Sequence, residues 1–125
     1  MGFLRSGDTG RTAVVTGGAS GIGLAVSKLL AERGFNVVLA DIATGVVLAA
    51  AKAEVAATCS LAGGGRCIAV HADVSKSEDM ERLAARVYAE FRAVGGLVLN
   101  AGQLQLFSAC RRPGWRDCCR RTNRC

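Results

Sequence analysis

A glycine-rich segment of eight residues is the part of this sequence whose residue types and spacing point most directly to chemistry. It follows the apolar stretch Thr12–Val15 and reads Thr16-Gly17-Gly18-Ala19-Ser20-Gly21-Ile22-Gly23. Glycines let a backbone turn sharply and lie close to a ligand, and a helix that starts at such a turn offers unpaired N–H groups and a partial positive charge. A turn of this kind between a buried strand and a helix predicts a diphosphate-binding site. No Gly-Lys-Ser/Thr follows the glycines, which excludes the phosphate loop of nucleoside triphosphatases.

A single carboxylate accompanies the glycines. Asp41 lies 24 positions beyond Gly17, at the end of the next apolar stretch, Asn36–Ala40. An acid at this place can accept hydrogen bonds from an adenosine ribose, and its charge repels a 2′-phosphate. We therefore expect a dinucleotide ligand, with NAD preferred over NADP. A purely structural glycine turn with a solvated aspartate is the alternative, and it leaves the combined pattern unexplained.

Alternating strands and helices are predicted to position these residues. Apolar, β-branched runs predict strands at Thr12–Val15, Asn36–Ala40, Cys67–Val70 and Leu97–Leu99. Helices are predicted from Ile22 to a stop at Gly34, over about residues 44–58, and after a capping box formed by Ser75 and Glu78. The apolar faces of the three helices are predicted to contain Ile22, Val26, Leu29 and Leu30, then Val46, Ala50, Ala53 and Ala57, and finally Met80, Leu83, Ala84, Val87 and Phe91. Three strand–helix–strand alternations imply an α/β fold with a parallel sheet and right-handed crossovers.

Composition fits one small domain followed by an unusual tail. The chain has 125 residues, half of them hydrophobic, and a net charge of +6. Residues 1–102 carry ten Lys/Arg and nine Asp/Glu, whereas 103–125 carry six Arg and one Asp, so the positive charge belongs to the tail. We expect a flexible arm over 1–11, a folded unit over 12–102 and a disordered Arg- and Cys-rich tail over 103–125. The tail could contact RNA or acidic lipid through nonspecific charge, but no specific nucleic-acid partner is expected.

The cysteines and the hydropathy pattern bear on the compartment. Of six cysteines, Cys59 and Cys67 lie in the folded unit and the other four in the tail, and no signal peptide precedes them. Free thiols and a cytoplasmic location are therefore expected. No transmembrane segment is expected, because no uncharged apolar run is long enough.

Four motifs, in order along residues 10–102, resemble the short-chain dehydrogenase/reductase family. The family's Thr-Gly-x-x-x-Gly-x-Gly is matched by Thr16, Gly17, Gly21 and Gly23, and its Asp-Val pair after the third strand by Asp73-Val74. Its Asn-Asn-Ala-Gly is matched by Leu99-Asn100-Ala101-Gly102, with the first Asn replaced. The resemblance implies a Rossmann-like three-layer fold with four parallel strands in the order 3-2-1-4, incomplete relative to the family. It also implies a cofactor site made by Thr16, Gly17, Ser20, Gly21, Ile22, Gly23, Asp41, Asp73, Val74, Asn100, Ala101 and Gly102. Ser20 stands where NADP-preferring relatives often carry Arg, which again favours NAD.

The family resemblance implies hydride transfer between a nicotinamide cofactor and an alcohol or carbonyl. That chemistry uses a Ser and a Tyr-x-x-x-Lys that follow the fourth strand, and the sequence has no Tyr after Tyr88 and no Lys after Lys76. Tyr88 is predicted to be a half-buried helix residue, so no catalytic residue is assigned. No metal site is assigned either, since His71 lacks partner ligands at suitable spacing. The family's oligomer is not expected, because its interface helices would follow residue 102. A noncatalytic nucleotide-binding or interfering fragment is therefore the alternative to an oxidoreductase.

Overall fold

The fold is a four-stranded parallel sheet with helices on both faces. The computed structural model describes residues 11–102. Its elements are β1 (Thr12–Thr16), α1 (Gly21–Glu32), β2 (Asn36–Asp41), α2 (Gly45–Leu61), β3 (Cys67–His71), α3 (Ser77–Phe91) and β4 (Gly96–Leu99). The strand order is β3-β2-β1-β4 and every pairing is parallel. The predicted fold class and strand order are therefore confirmed. The expectations for residues 1–10 and for the tail lie outside the described residues.

The two central strands are the most buried part of the sheet. All five residues of β1 and the first five of β2 are buried, as their near-continuous apolar sequence requires. One core lies between the sheet and α1 and α2, with Val15, Val37 and Leu39 at its centre. A second core lies on the opposite face, where Val14 and Val38 pack with α3. β3 was predicted to be a buried strand, but it lies at the edge of the sheet and is only partly covered.

Two thiols lie in the core beneath α2. Cys59 and Cys67 are both buried and free. Burial, together with the neighbouring Cys59, raises the pKa of Cys67 to about 12, and burial also raises the pKa of Cys59. Both thiols are therefore protonated at neutral pH and behave as small apolar side chains.

The predicted apolar face of α2 is wrong, and that of α1 is wrong in part, since Leu30 does pack against the core. On α2 the buried residues are Ala51, Val55 and Cys59, while Val46 is 84% exposed. Alanine and valine occur all round α2, so its hydrophobicity gives little contrast between faces. On α1 the buried residues are Gly23, Ser27 and Ala31, whereas Ile22 and Leu29 are exposed. Small residues face the sheet there because the helix lies close to the strands.

The start of α3 also differs from the prediction. The helix begins at Ser77 after Lys76, and neither forms a side-chain cap. Ser75 does not cap the helix, because its hydroxyl donates to Asp73 Oδ1 at 2.6 Å in a local turn. The predicted capping box of Ser75 and Glu78 is therefore wrong. Leu83 and Val87 are buried as predicted, and Met80 and Phe91 are partly buried, but Ala84 is exposed.

Candidate cofactor site at the carboxyl edge of the sheet

The glycine-rich loop joins β1 to α1 at the carboxyl edge of the sheet. Gly17 has a φ of +68°, and its N–H donates to the Ala40 carbonyl at 2.7 Å, which fixes the turn against β2. A Cβ on Gly23 would lie 2.1 Å from the Gly17 carbonyl oxygen. Only a glycine permits this approach, so the requirement at Gly23 comes from the packing of the loop on its own helix.

Thr16 connects the glycine-rich loop to the segment after β4. Its Oγ1 donates to the Val98 carbonyl at 3.2 Å and accepts the N–H groups of Asn100 and Ala101, each at 3.1 Å. The Asn100 side chain adds a bond from Nδ2 to the Gly17 carbonyl at 3.3 Å. Two motifs that lie more than 80 residues apart in the sequence are thus joined at one place.

The first turn of α1 has N–H groups without a protein partner. The first intrahelical bond runs from Leu24 N to the Ser20 carbonyl at 3.2 Å, and the Ser20 side chain forms no cap. Within residues 11–102, the N–H groups of Gly21, Ile22 and Gly23 therefore have no acceptor. The first turn contains no acidic residue, so no side chain of the turn itself opposes an anion.

Asp41 lies at the end of β2, beside the glycine-rich loop. Its Oδ2 accepts the N–H of Ala19 at 2.9 Å, and its Oδ1 accepts the N–H of Ala43 at 2.8 Å. A carboxylate has about four acceptor positions, so each oxygen keeps capacity for a further donor such as a hydroxyl. Ala19 and Ala43 were not predicted to be positioning residues. The bond from the Ala43 N–H to the Asp41 carboxylate forms a local aspartate turn. An aspartate followed two residues later by a small residue could have indicated this turn.

The segment after β3 lies next to Asp41. Ala72 N donates to the Asp41 carbonyl at 2.9 Å, which brings Asp73 and Val74 to the same edge. Asp73 Oδ1 accepts the hydroxyl and the N–H of Ser75, and these bonds lower the pKa of Asp73. Val74 and Ile42 are exposed apolar side chains that follow neighbouring strands. Ile42 was not among the predicted site residues, although its place directly after Asp41 could have indicated it.

The predicted site residues thus follow the carboxyl ends of all four strands. Thr16 ends β1 and residues 17–23 follow it, Asp41 ends β2, Asp73 and Val74 follow β3, and residues 100–102 follow β4. Direct hydrogen bonds join the first, second and fourth of these groups through Thr16, Gly17 and Asp41. Asp73 and Val74 are linked to the other groups only by the backbone hydrogen bond from the neighbouring Ala72 to Asp41 in β2.

The remaining candidates for chemistry lie away from this edge or stand alone. Tyr88 is on α3 and is 56% exposed, so the prediction that it is half-buried is wrong; its side chain points outward beside the buried Val87. Within residues 11–102, no three His, Cys, Asp or Glu side chains come together in a way that could hold a metal ion. In the same residues, no helix is long and apolar enough to span a membrane.

Comparison with known families agrees with this geometry. The family model described as short chain dehydrogenase matches residues 11–122. The chain belongs to this family. The Rossmann fold is accordingly that of an oxidoreductase family that binds nicotinamide cofactors.

The sequence of this chain aligns with only part of the length of its curated relatives among the short-chain dehydrogenases. A cis-4-hydroxycyclohexanecarboxylate dehydrogenase from Sinomonas cyclohexanicum is 44% identical over 92 residues, which are 74% of this chain and 34% of the relative. The tropinone reductase-like 1 protein of Erythroxylum coca is 34% identical over 96 residues, 77% of this chain and 32% of the relative. The chain therefore spans about a third of the length of these relatives.

Solved structures give the same result. Levodione reductase superposes with a TM-score of 0.67 at 32% identity, covering 78% of this chain and 36% of that one. L-sorbose reductase from Gluconobacter frateurii, solved with NADPH and L-sorbose, gives 0.62 at 32% identity, covering 78% and 34%. A nicotinamide cofactor is thus present in a solved relative of similar fold.

Proposed function

We propose that residues 12–102 form a unit that binds a nicotinamide dinucleotide and prefers NAD(H) to NADP(H). The observation that carries the proposal is the start of α1, where three N–H groups without partners follow a glycine-rich turn held against β2 and β4. These N–H groups are the donors for the cofactor diphosphate. Gly23, whose Cβ would collide with the loop, keeps the turn tight enough for this approach.

The preference for NAD(H) rests on the charge at the end of β2. Asp41 has spare acceptor capacity for ribose hydroxyls, and its negative charge would oppose a 2′-phosphate. Neither the loop from Gly17 to Gly23 nor the turn from Asp41 to Gly45 contains a Lys or Arg that could neutralise such a phosphate. The relative solved with NADPH shows that the family includes proteins that bind NADPH, so the preference proposed for this chain rests on its own residues.

The remaining predicted residues would complete the pocket. Val74 and Ile42, both exposed, offer apolar surface for the adenine ring, and the Asp73 carboxylate is a candidate acceptor for its amino group. Asn100, Ala101 and Gly102 follow β4 beside the loop and would line the nicotinamide half. When bound, the cofactor would supply or accept a hydride, and the protein residues named here would bind and orient it.

For catalysis, we propose that the 125-residue chain as it stands does not carry out hydride transfer. Residues 103–125 contain neither Tyr nor Lys, and Tyr88 lies exposed on α3. A positioned general acid is worth roughly 10²–10⁴-fold in rate. The second candidate function, a noncatalytic nucleotide-binding or interfering fragment, is favoured by the same observation.

The two buried free thiols, Cys59 and Cys67, support a reducing compartment such as the cytoplasm.

Titration of NADH and NADPH by fluorescence tests the cofactor proposal. Asp41→Asn removes the charge and keeps one of the two acceptor oxygens, so we expect the preference for NADH to shrink by roughly tenfold, chiefly through tighter NADPH binding. Glu81→Gln, at an exposed position on α3, is the matched loss of one negative charge and should change neither affinity. Equal affinities of wild type for both cofactors would contradict the preference, and no binding of either would contradict the function.

A further inference from the structure

The outer edge of β3 is open for pairing. β3 is bonded to β2 on one side, and no strand within residues 11–102 lies on the other. The Ala72 N–H donates to β2 at 2.9 Å and the Arg66 carbonyl accepts from β2 at 2.8 Å. Because bonding groups alternate along a strand, Ala69 and His71 direct their N–H and C=O groups outward. A contact at 3.5 Å from Arg82 Nη2 to the His71 carbonyl agrees with this orientation.

A groove lined by two arginines runs along this open edge. It has a volume of about 440 Å³ and is lined by Ala69, Val70, His71, Arg82 and Arg86. The strand edge and Val70 form one wall, and the two arginines of α3 form the other. The side chains of both arginines are well exposed.

The charged groups around the groove leave donors available. Arg82 forms a salt bridge with Asp79 at 3.0 Å, and Arg86 one with Glu90 at 3.3 Å. Glu90 also lies 3.7 Å from Arg66, so three guanidinium groups share two carboxylates. Within residues 11–102, the bonds of Arg82 use only Nη2, and the salt bridge of Arg86 uses Nε. The other guanidinium N–H groups of these two arginines have no acceptor there and remain able to bind a carboxylate.

We propose that this edge binds an extended acidic peptide as a fifth strand of the sheet. Main-chain bonds from Ala69 and His71 would hold the peptide backbone, and Arg82 and Arg86 would pair with its carboxylates. Charge complementarity selects this occupant over two others. The segment 103–125 carries six Arg and one Asp and would be repelled. A second copy pairing through its own β3 would bring the same arginines into opposition.

Fluorescence anisotropy with a labelled peptide, Thr-Glu-Val-Glu-Val-Glu-Thr, tests the proposal on the full 125-residue chain. We expect saturable binding that weakens about tenfold in the double variant Arg82→Gln/Arg86→Gln. Arg33→Gln, an exposed arginine at the end of α1, should leave the affinity unchanged. The same peptide with Lys in place of Glu should not bind.

A backbone change separates strand pairing from simple charge attraction. Ala69→Pro removes one outward N–H at an edge position where proline is tolerated, and it should abolish peptide binding. If that variant fails to fold, as judged by circular dichroism, a peptide N-methylated at alternate residues supplies the same test on the wild-type protein. Equal affinity for the methylated peptide would overturn the proposal. Tighter binding of an RNA oligonucleotide than of the peptide, with the same dependence on Arg82 and Arg86, would overturn it as well.

Discussion

Replacing Thr16 by valine tests whether one hydroxyl joins the two halves of the candidate site. Thr16 is 4% exposed, and valine keeps its shape, so the substitution removes hydrogen bonds without creating a cavity. Three bonds end at its Oγ1, to Val98, Asn100 and Ala101. Asn100 N also donates to the Val98 carbonyl at 3.1 Å, so it keeps a partner. The N–H of Ala101 is therefore the group that loses its acceptor.

The expected magnitude follows from that single N–H. An unsatisfied buried donor costs about 1–3 kcal/mol, and since Ala101 is only partly buried the lower half of that range applies. For a domain of this size, 1 kcal/mol lowers the melting temperature by roughly 4–8 °C. We expect Thr16→Val to reduce stability by about 1–2 kcal/mol and to speed hydrogen exchange in the segment after β4.

Thermal unfolding followed by circular dichroism measures this loss, and two variants control for it. Thr58→Val removes a hydroxyl that only bonds the Glu54 carbonyl on the exposed surface of α2, and it should be nearly neutral. Thr16→Ser keeps the oxygen and should recover most of the stability. If Thr16→Val unfolds at the same temperature as Thr58→Val, the hydroxyl does not hold the site together.

Three further predictions concern the loop, acid stability and the sheet edge. Gly23→Ala places a Cβ 2.1 Å from the Gly17 carbonyl, so it should cost about 1–3 kcal/mol in urea unfolding, whereas Gly64→Ala, in open space, should not. The pKa of Asp79 is lowered, first by the hydrogen bond from the Asp73 N–H and then by Arg82. The ionised Asp79 carboxylate therefore stabilises the fold above the ordinary aspartate pKa near 3.8, and this stabilisation is lost as the pH falls below it. The melting temperature of Asp79→Asn should therefore fall less steeply than that of the wild type as the pH drops below about 4. In Glu78→Gln the fall of melting temperature should be steeper than in Asp79→Asn. Leu99 is 80% exposed on β4, which is an edge strand within residues 11–102, and should promote association, so Leu99→Lys should shift size-exclusion profiles towards monomer more than Leu61→Lys on α2 does.

The strands and the glycine-rich loop could be predicted because their signals are local. Thr12–Val15 and Leu97–Leu99 were each placed within one residue of β1 and β4, since short apolar runs between glycines leave few alternatives. The order of the strands came from family resemblance and was confirmed by the pairing. The motif around Gly17 could be recognised for the same reason, because its positions are close together in sequence.

The features that were predicted wrongly or not at all depend on tertiary contacts or on competition between local hydrogen bonds. The buried face of α2 could not be chosen from sequence, because an Ala- and Val-rich helix is apolar on several faces and only packing selects one. The capping box failed because Asp73 lies two residues before Ser75 and takes its hydroxyl. At the site, the bond from Ala19 to Asp41 joins residues 22 apart, and no local pattern predicts it.

The position of β1 at the centre of the sheet has a consequence for the order of events during synthesis. β1 meets β2 after 24 residues, as in the pair Thr12–Asn36, but meets β4 only after 83, as in Ala13–Gly96. At about 5–20 residues per second, the second pairing becomes possible several seconds after the first. During that interval one side of β1 has no partner strand, and the Thr16 hydroxyl has none of its three bonds. The glycine-rich loop is therefore synthesised well before Asn100 and Ala101, and its contacts with them form only after β4 has been made.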